Sequence, residues 1–229
     1  MFKKRDPKQS LMEKLAKASS LTVRGNHQKA VSLFDEILSN PVSAGLDDKD
    51  LALCYLNRGY SLRRTGNIKT ALEDQFRAAQ LNPSNFKSHL NAGLIYAQDL
   101  NMYEEGLVEF DKAYELNPTS VDVLSSRGLT KLLMGRVEEA KADMLAALAI
   151  MPDHSDTLCN LGNMYYQEEQ FEEAAEAFQK ALHSSPNDIE IRCNLTMALL
   201  KSGCRNAAIN VLNQDKKAKS LWQKTWGDI

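Results

Sequence analysis

Four asparagines, Asn57, Asn91, Asn160 and Asn194, recur at one phase of this chain. The first two and the last two are separated by the same interval, and the gap between Asn91 and Asn160 is about twice as long. An asparagine side chain carries both a carbonyl acceptor and an NH₂ donor. A row of them can hold the main chain of an extended peptide whatever its sequence. The competing use is to bond neighbouring helices or water. Asparagine is a poor helix former, so its return at one structural position needs a reason of one kind or the other. Other reactive residue types are scattered. Cys54, Cys159, Cys193 and Cys204 form no C-x-x-C pair and have no ligand-like histidine spacing beside them. They read as reduced thiols of a cytoplasmic protein. His27, His154 and His183 fall in turns or at repeat edges, and His89 sits at a packing position. The acidic run Glu168, Glu169, Glu172, Glu173 and Glu176 reads as a solvated face or a site for a basic partner. No phosphate-binding, dinucleotide, zinc-protease or serine-hydrolase motif is present. The expectation is a noncatalytic protein with no cofactor and no metal site.

Composition narrows the class further. The 229 residues carry a formal charge of −2, with 43% apolar and 25% charged residues, ordinary for a soluble chain. No apolar run is long enough to span a bilayer, and the basic start MFKKRDPKQS has no apolar stretch after it. Charge is uneven. Lys and Arg number 14 against 9 Asp and Glu over 1–85, 7 against 18 over 86–188, and 7 against 3 over 189–229. Basic ends and an acidic middle argue against a continuous track for nucleic acid.

The elements that would position these residues are marked by Pro83, Pro118, Pro152 and Pro186, at spacings of 35, 34 and 34. A period near 34 signals stacked helical hairpins. Units register at 11–44, 52–85, 86–120, 121–154, 155–188 and 189–222, with an inserted loop at 43–51. The eighth position of each is small: Ala18, Gly59, Gly93, Gly128, Gly162, Thr196. Small residues return in the second helix at Ala30, Ala71, Gly106, Ala140, Ala174 and Ala208, and bulky ones follow at Phe34, Phe110, Met144, Phe178 and Leu212. Alternation of large and small is how packed helices interdigitate. Gly25, Gly66, Gly135 and Gly203 fall between the helices of a unit. Asn85 and Asp188 follow prolines as candidate caps, and Asp6-Pro7 marks the first helix start near Pro7.

These residues resemble the tetratricopeptide repeat, with Leu158, Leu161, Gly162, Tyr165, Ala174, Phe178, Ala181 and Pro186 the fullest copy. The resemblance implies an all-α, right-handed solenoid of about six hairpins in a single domain over 1–229. Its first helices would line a concave groove. Departures are Gln75 and Lys131 at aromatic positions, one extra residue near Leu100–Met102, and the insertion around Val42–Lys49.

In that frame the sixth positions read Ala16, Asn57, Asn91, Ser126, Asn160 and Asn194, the candidate peptide ladder. Tyr60, Arg63, Arg64 and Lys87 would line the groove, with an acidic or C-terminal peptide end near Arg63, Arg64 and Lys87. Leu90, Leu94, Leu129, Leu132 and Leu133 would take apolar side chains, and Asn163, Tyr166 and Gln167 extend the face. The carboxylate clamp of chaperone-tail binders is incomplete, since Leu15, Ser19 and Asn91 replace three of its residues. Trp222 and Trp226, four apart in the lysine-rich tail 216–229, suit a capping helix or a second surface for a partner or anionic membrane. The function expected is an interaction scaffold or adaptor for a protein or peptide partner. The alternative is a self-assembling, homo-oligomeric scaffold, peripheral to a membrane complex.

Overall fold

The computed structural model describes residues 7–39 and 45–227. Among them are thirteen α-helices and no strand. The fold is an all-α helical repeat. The chain divides into two compact units, 1–118 and 119–229, at the junction between the third and fourth repeats.

The first unit holds α1 (Pro7–Val23), α2 (His27–Leu38), α3 (Asp48–Arg64), α4 (Ile68–Leu81), α5 (Phe86–Leu94) and α6 (Tyr103–Leu116). The second holds α7 (Val121–Leu133), α8 (Val137–Ile150), α9 (Ser155–Gln167), α10 (Phe171–Ser184), α11 (Ile189–Lys201), α12 (Arg205–Asn213) and α13 (Lys216–Trp226). Successive helices pair as hairpins, and within each unit the first helices of neighbouring hairpins also pack side by side.

The hairpins close because one helix carries almost no side chain where the other carries a large one. Phe34, Phe110, Met144 and Phe178 are fully buried. A β-carbon at Gly162 would lie 2.7 Å from the Phe178 ring, and one at Gly93 equally close to Phe110. Gln75, at the aromatic position of the second hairpin, is also fully buried. Its Nε2 donates to the Leu56 carbonyl at 3.1 Å, so the amide spans the gap that a ring fills elsewhere.

The turns follow from backbone conformation. Gly25, Gly66, Gly135 and Gly203 have φ between 74° and 85°. Glu169 takes the same place in the fifth repeat at φ 60°, a left-handed conformation that costs a non-glycine residue about 1–2 kcal/mol. The extra residue of the third repeat is absorbed as a π-helical turn, Ile95–Asp99, which prolongs α5 and is followed by Asn101 at φ 55°. Helix starts are capped by side chains that accept backbone N–H groups: Asn85 from Lys87, Ser120 from Val123, and Asp188 from Ile191. His154 does the same through Nδ1 for Thr157, a cap the residue type did not suggest.

The inserted loop is shorter than 43–51. Residues 48–51 form the first turn of α3, because the Asp47 side chain accepts the Asp50 N–H at 2.9 Å and caps the helix there. Residues 40–44 of the insertion, and the Asp6 cap, lie outside the described residues.

Gly162→Ala is expected to lower unfolding free energy by about 1–3 kcal/mol, since neither the Phe178 ring nor the helix backbone can yield cheaply. Urea denaturation checks this, and an unchanged midpoint would contradict the close-approach geometry.

Candidate peptide-binding face

Two residues along an α-helix rotate a side chain by about 200°. With the eighth position turned into its own hairpin, the sixth therefore faces the opposite way. Asn57, Asn91, Ser126, Asn160 and Asn194 are all partly exposed there. In the first unit Asn57 and Asn91 lie on the adjacent helices α3 and α5; in the second Ser126, Asn160 and Asn194 lie on α7, α9 and α11.

Three asparagines reach back to the preceding repeat. Asn57 Nδ2 donates to Ser19 Oγ at 3.3 Å. Asn91 Nδ2 donates to Gln75 Oε1 at 3.3 Å, completing the buried amide that also holds Leu56. Asn194 hydrogen-bonds the Cys159 thiol. Their carbonyl oxygens have no partner among the described residues, and Asn160 uses neither end of its amide. Ser126 stands apart, with its main-chain carbonyl accepting the Thr130 hydroxyl at 2.9 Å. The row therefore fastens neighbouring repeats with its amino groups and offers acceptors outward.

The basic residues do not converge. Arg63 is held by the Asp99 carboxylate and, at 2.8 Å, by Gln98, both on the π turn of the next repeat. It locks two hairpins together instead of waiting for a peptide carboxylate. The side-chain cations of Arg64 and Lys87 are exposed and form no ion pair among the described residues. Arg64 ends α3 whereas Lys87 opens α5, and these two helices run the same way, so roughly 16 Å of helix rise separates them. Leu94 and Leu129 are partly exposed and Leu133 is exposed, while Leu90 is buried. Tyr60 packs edge-on against His27, and Tyr166 edge-on against Phe171. Asn163 is partly exposed beside Tyr166 on α9.

The largest electrostatic features are buried inside the hairpins. Arg127 clasps Asp143 through Nε at 2.8 Å and Nη2 at 2.6 Å, and Lys131 reaches the same carboxylate at 2.8 Å. Lys131 thus occupies its aromatic position as the second cation on Asp143. Arg58 clasps Asp74 in the same bidentate way and also reaches Asp35. Both pairs join the seventh and twenty-third positions of a repeat, and the second pair recurs two repeats after the first. That recurrence was the available signal, and an aromatic-and-glycine register passes over it. In the third repeat Glu109 fills the same role, bonded by His89 at 2.7 Å and Lys112 at 2.6 Å. Burial pushes the Glu109 carboxyl up, but those hydrogen bonds outweigh it and hold it below the ordinary value.

Little here suits chemistry. Burial raises the Cys159 thiol to about 11, so it stays protonated at neutral pH. No group of three or more metal-binding side chains lies together among the described residues, and no described helix is long and apolar enough to cross a membrane. In the tail, α13 packs on α11 and α12, burying Trp222 to 3% exposure against Cys193, Leu212 and Ala218. Trp226 remains 50% exposed and stacks 4.7 Å from Trp222.

Family models of the tetratricopeptide repeat match residues 86–120 and 155–188. The chain carries tetratricopeptide repeats at these two segments. Human tetratricopeptide repeat protein 6 is 30% identical over 62% of this chain, which spans 28% of that relative. The type IV pilus biogenesis factor PilW superposes with a TM-score of 0.77 at 18% identity, over 95% of this chain and 94% of that one. The Cut9–Hcn1 hetero-tetramer of the APC/C gives 0.72 at 18% identity, over 89% of this chain and 39% of that one. At these identities the structural likenesses show the fold alone. Tetratricopeptide-repeat proteins generally mediate protein–protein interactions, and the fold is typically a noncatalytic scaffold.

Asp143→Ala removes the carboxylate that buried Arg127 and Lys131 share, leaving Lys131 only the more distant Glu139 at 3.9 Å. A loss of about 3–5 kcal/mol is expected in urea unfolding, and a loss under about 1 kcal/mol would remove this cluster from the fold's main supports.

Proposed function

We propose that this repeat protein is a noncatalytic interaction module of the cytoplasm. Its first-helix faces bind an extended peptide or partner segment. The observation that carries this reading is the asparagine row. With NH₂ groups tied to the preceding repeat, the side chains of Asn57, Asn91 and Asn194 are already ordered. Ordered acceptors lose less entropy when a ligand's N–H groups arrive. Asn160 adds a donor and an acceptor at the centre of the second unit's row.

Side chains around the row would supply selectivity. Leu94 in the first unit, and Leu129 and Leu133 in the second, suit apolar residues of the ligand, while Tyr166 and Asn163 suit mixed contacts. Arg64 and Lys87 each suit a separate acidic side chain. Each net hydrogen bond adds about 0.5–1.5 kcal/mol, against the cost of ordering the peptide. A micromolar complex, about −8 kcal/mol of binding free energy, is the expected scale.

A peptide array probed with the purified protein supplies ligands, and Asn160→Ala tests the row. Asn160 supports no other residue, so its loss is expected to leave thermal stability unchanged while weakening the captured peptides about 3- to 10-fold. Unchanged affinity across those peptides would remove the row from the binding site.

A further inference from the structure

Helix α13 packs against α11 and α12 of the sixth hairpin. Here α13 buries Ala218 and Trp222 yet leaves Leu221 46% and Trp226 50% exposed. Lys217, Leu221 and Lys224 fall at i, i+4 and i+7 of α13, a single outward stripe with an apolar centre between two ammonium groups. All three are exposed, and neither lysine forms an ion pair among the described residues.

The complement lies on the same unit. Asp122, Asp156 and Glu190 occupy the second position of α7, α9 and α11, each in the helix's first turn. All are exposed or partly exposed and form no ion pair among the described residues. Because α9 packs beside both α7 and α11, the carboxylates recur at the interaxial spacing of adjacent helices, about 8–10 Å. Lys217 and Lys224 stand about 10.5 Å apart along α13. Lys201, a cation without an ion pair among the described residues, ends α11, roughly 16 Å of helix rise from Glu190.

We propose that α13 of a second copy of this chain crosses the N-terminal ends of α7, α9 and α11. Lys217 and Lys224 then pair with successive members of the row Asp122, Asp156, Glu190, and Leu221 packs between them. The contact rests on the reading of the first-helix face as a binding surface and names one occupant for its second-unit part. Charge selects body over end. Residues 1–85 carry 14 basic against 9 acidic side chains, so stacking the lysine-rich tail on the first repeat sets like charges together. The contact joins two different patches and is therefore heterologous, so association continues beyond dimers as concentration rises.

Sedimentation velocity on the full chain tests this. At low ionic strength the wild type is expected to show concentration-dependent association, lost in about 0.5 M salt, where screening reaches only a few ångströms. The double variants Lys217→Glu/Lys224→Glu and Asp156→Lys/Glu190→Lys are each expected to associate at least about tenfold more weakly. Mixing them restores a wild-type pairing and is expected to restore association. The altered residues lie at the surface, and circular dichroism checks that both variants fold. A purely helix-stabilising role for the first-turn acids would produce no recovery on mixing. A wild type that stays monomeric at low salt, or variants that associate as the wild type does, would overturn the proposal. Either result leaves the peptide reading of the asparagine row standing, because that is decided separately by Asn160→Ala.

Discussion

Everything in this chain depends on how closely two helices of one hairpin approach. The eighth position is glycine in four repeats, and opposite it a ring, a methionine or a glutamine lies fully buried. Close approach fixes the rotation of the first helix about its own axis. Rotation in turn decides which residues face away from the hairpin. The sixth-position asparagines are available to a ligand only because the eighth position is not. Packing and function therefore share one geometric cause.

Buried polar groups then fix what apolar packing leaves loose. Apolar surfaces tolerate sliding, whereas a bidentate guanidinium–carboxylate pair has one good geometry. Arg58 with Asp74, and Arg127 with Asp143, tie the two helices of a hairpin at one register. Between repeats the fasteners are smaller. Asn57 on Ser19, Asn91 on Gln75, and Arg63 on Asp99 each bridge to a neighbouring hairpin. Gln75 belongs to both sets, since it fills its own hairpin and receives Asn91 from the next.

Much of this architecture was legible in the sequence. The repeat boundaries, the glycine turns and the caps at Asn85 and Asp188 follow from backbone chemistry, which is local. The pairing of Gly162 with Phe178 was legible too, since a fixed period carries it. What escaped depends on side-chain partners distant in sequence. Arg63 reads as a free groove cation until Asp99 is placed beside it by the π turn, which a single inserted residue creates. Lys131 reads as a gap in the aromatic pattern until Asp143 explains it. The asparagines read either as ligand contacts or as ties between helices, and the structure divides the two uses within one side chain, with the NH₂ groups of Asn57 and Asn91 held by the stack. The start of α3 at Asp48 turns on a cap, Asp47, inside a stretch that reads as loop.

The proposed ligand face belongs to the first helices of the hairpins and not to the second. Amide chemical-shift mapping of the 25.6 kDa chain during titration with an array-selected peptide addresses this directly. Perturbations are expected on the open faces of first helices, with the side-chain amide of Asn160 among the largest when the second unit is engaged. Perturbations concentrated on α8 and α10, with the Asn57, Asn91, Asn160 and Asn194 side-chain amides unmoved, would contradict it.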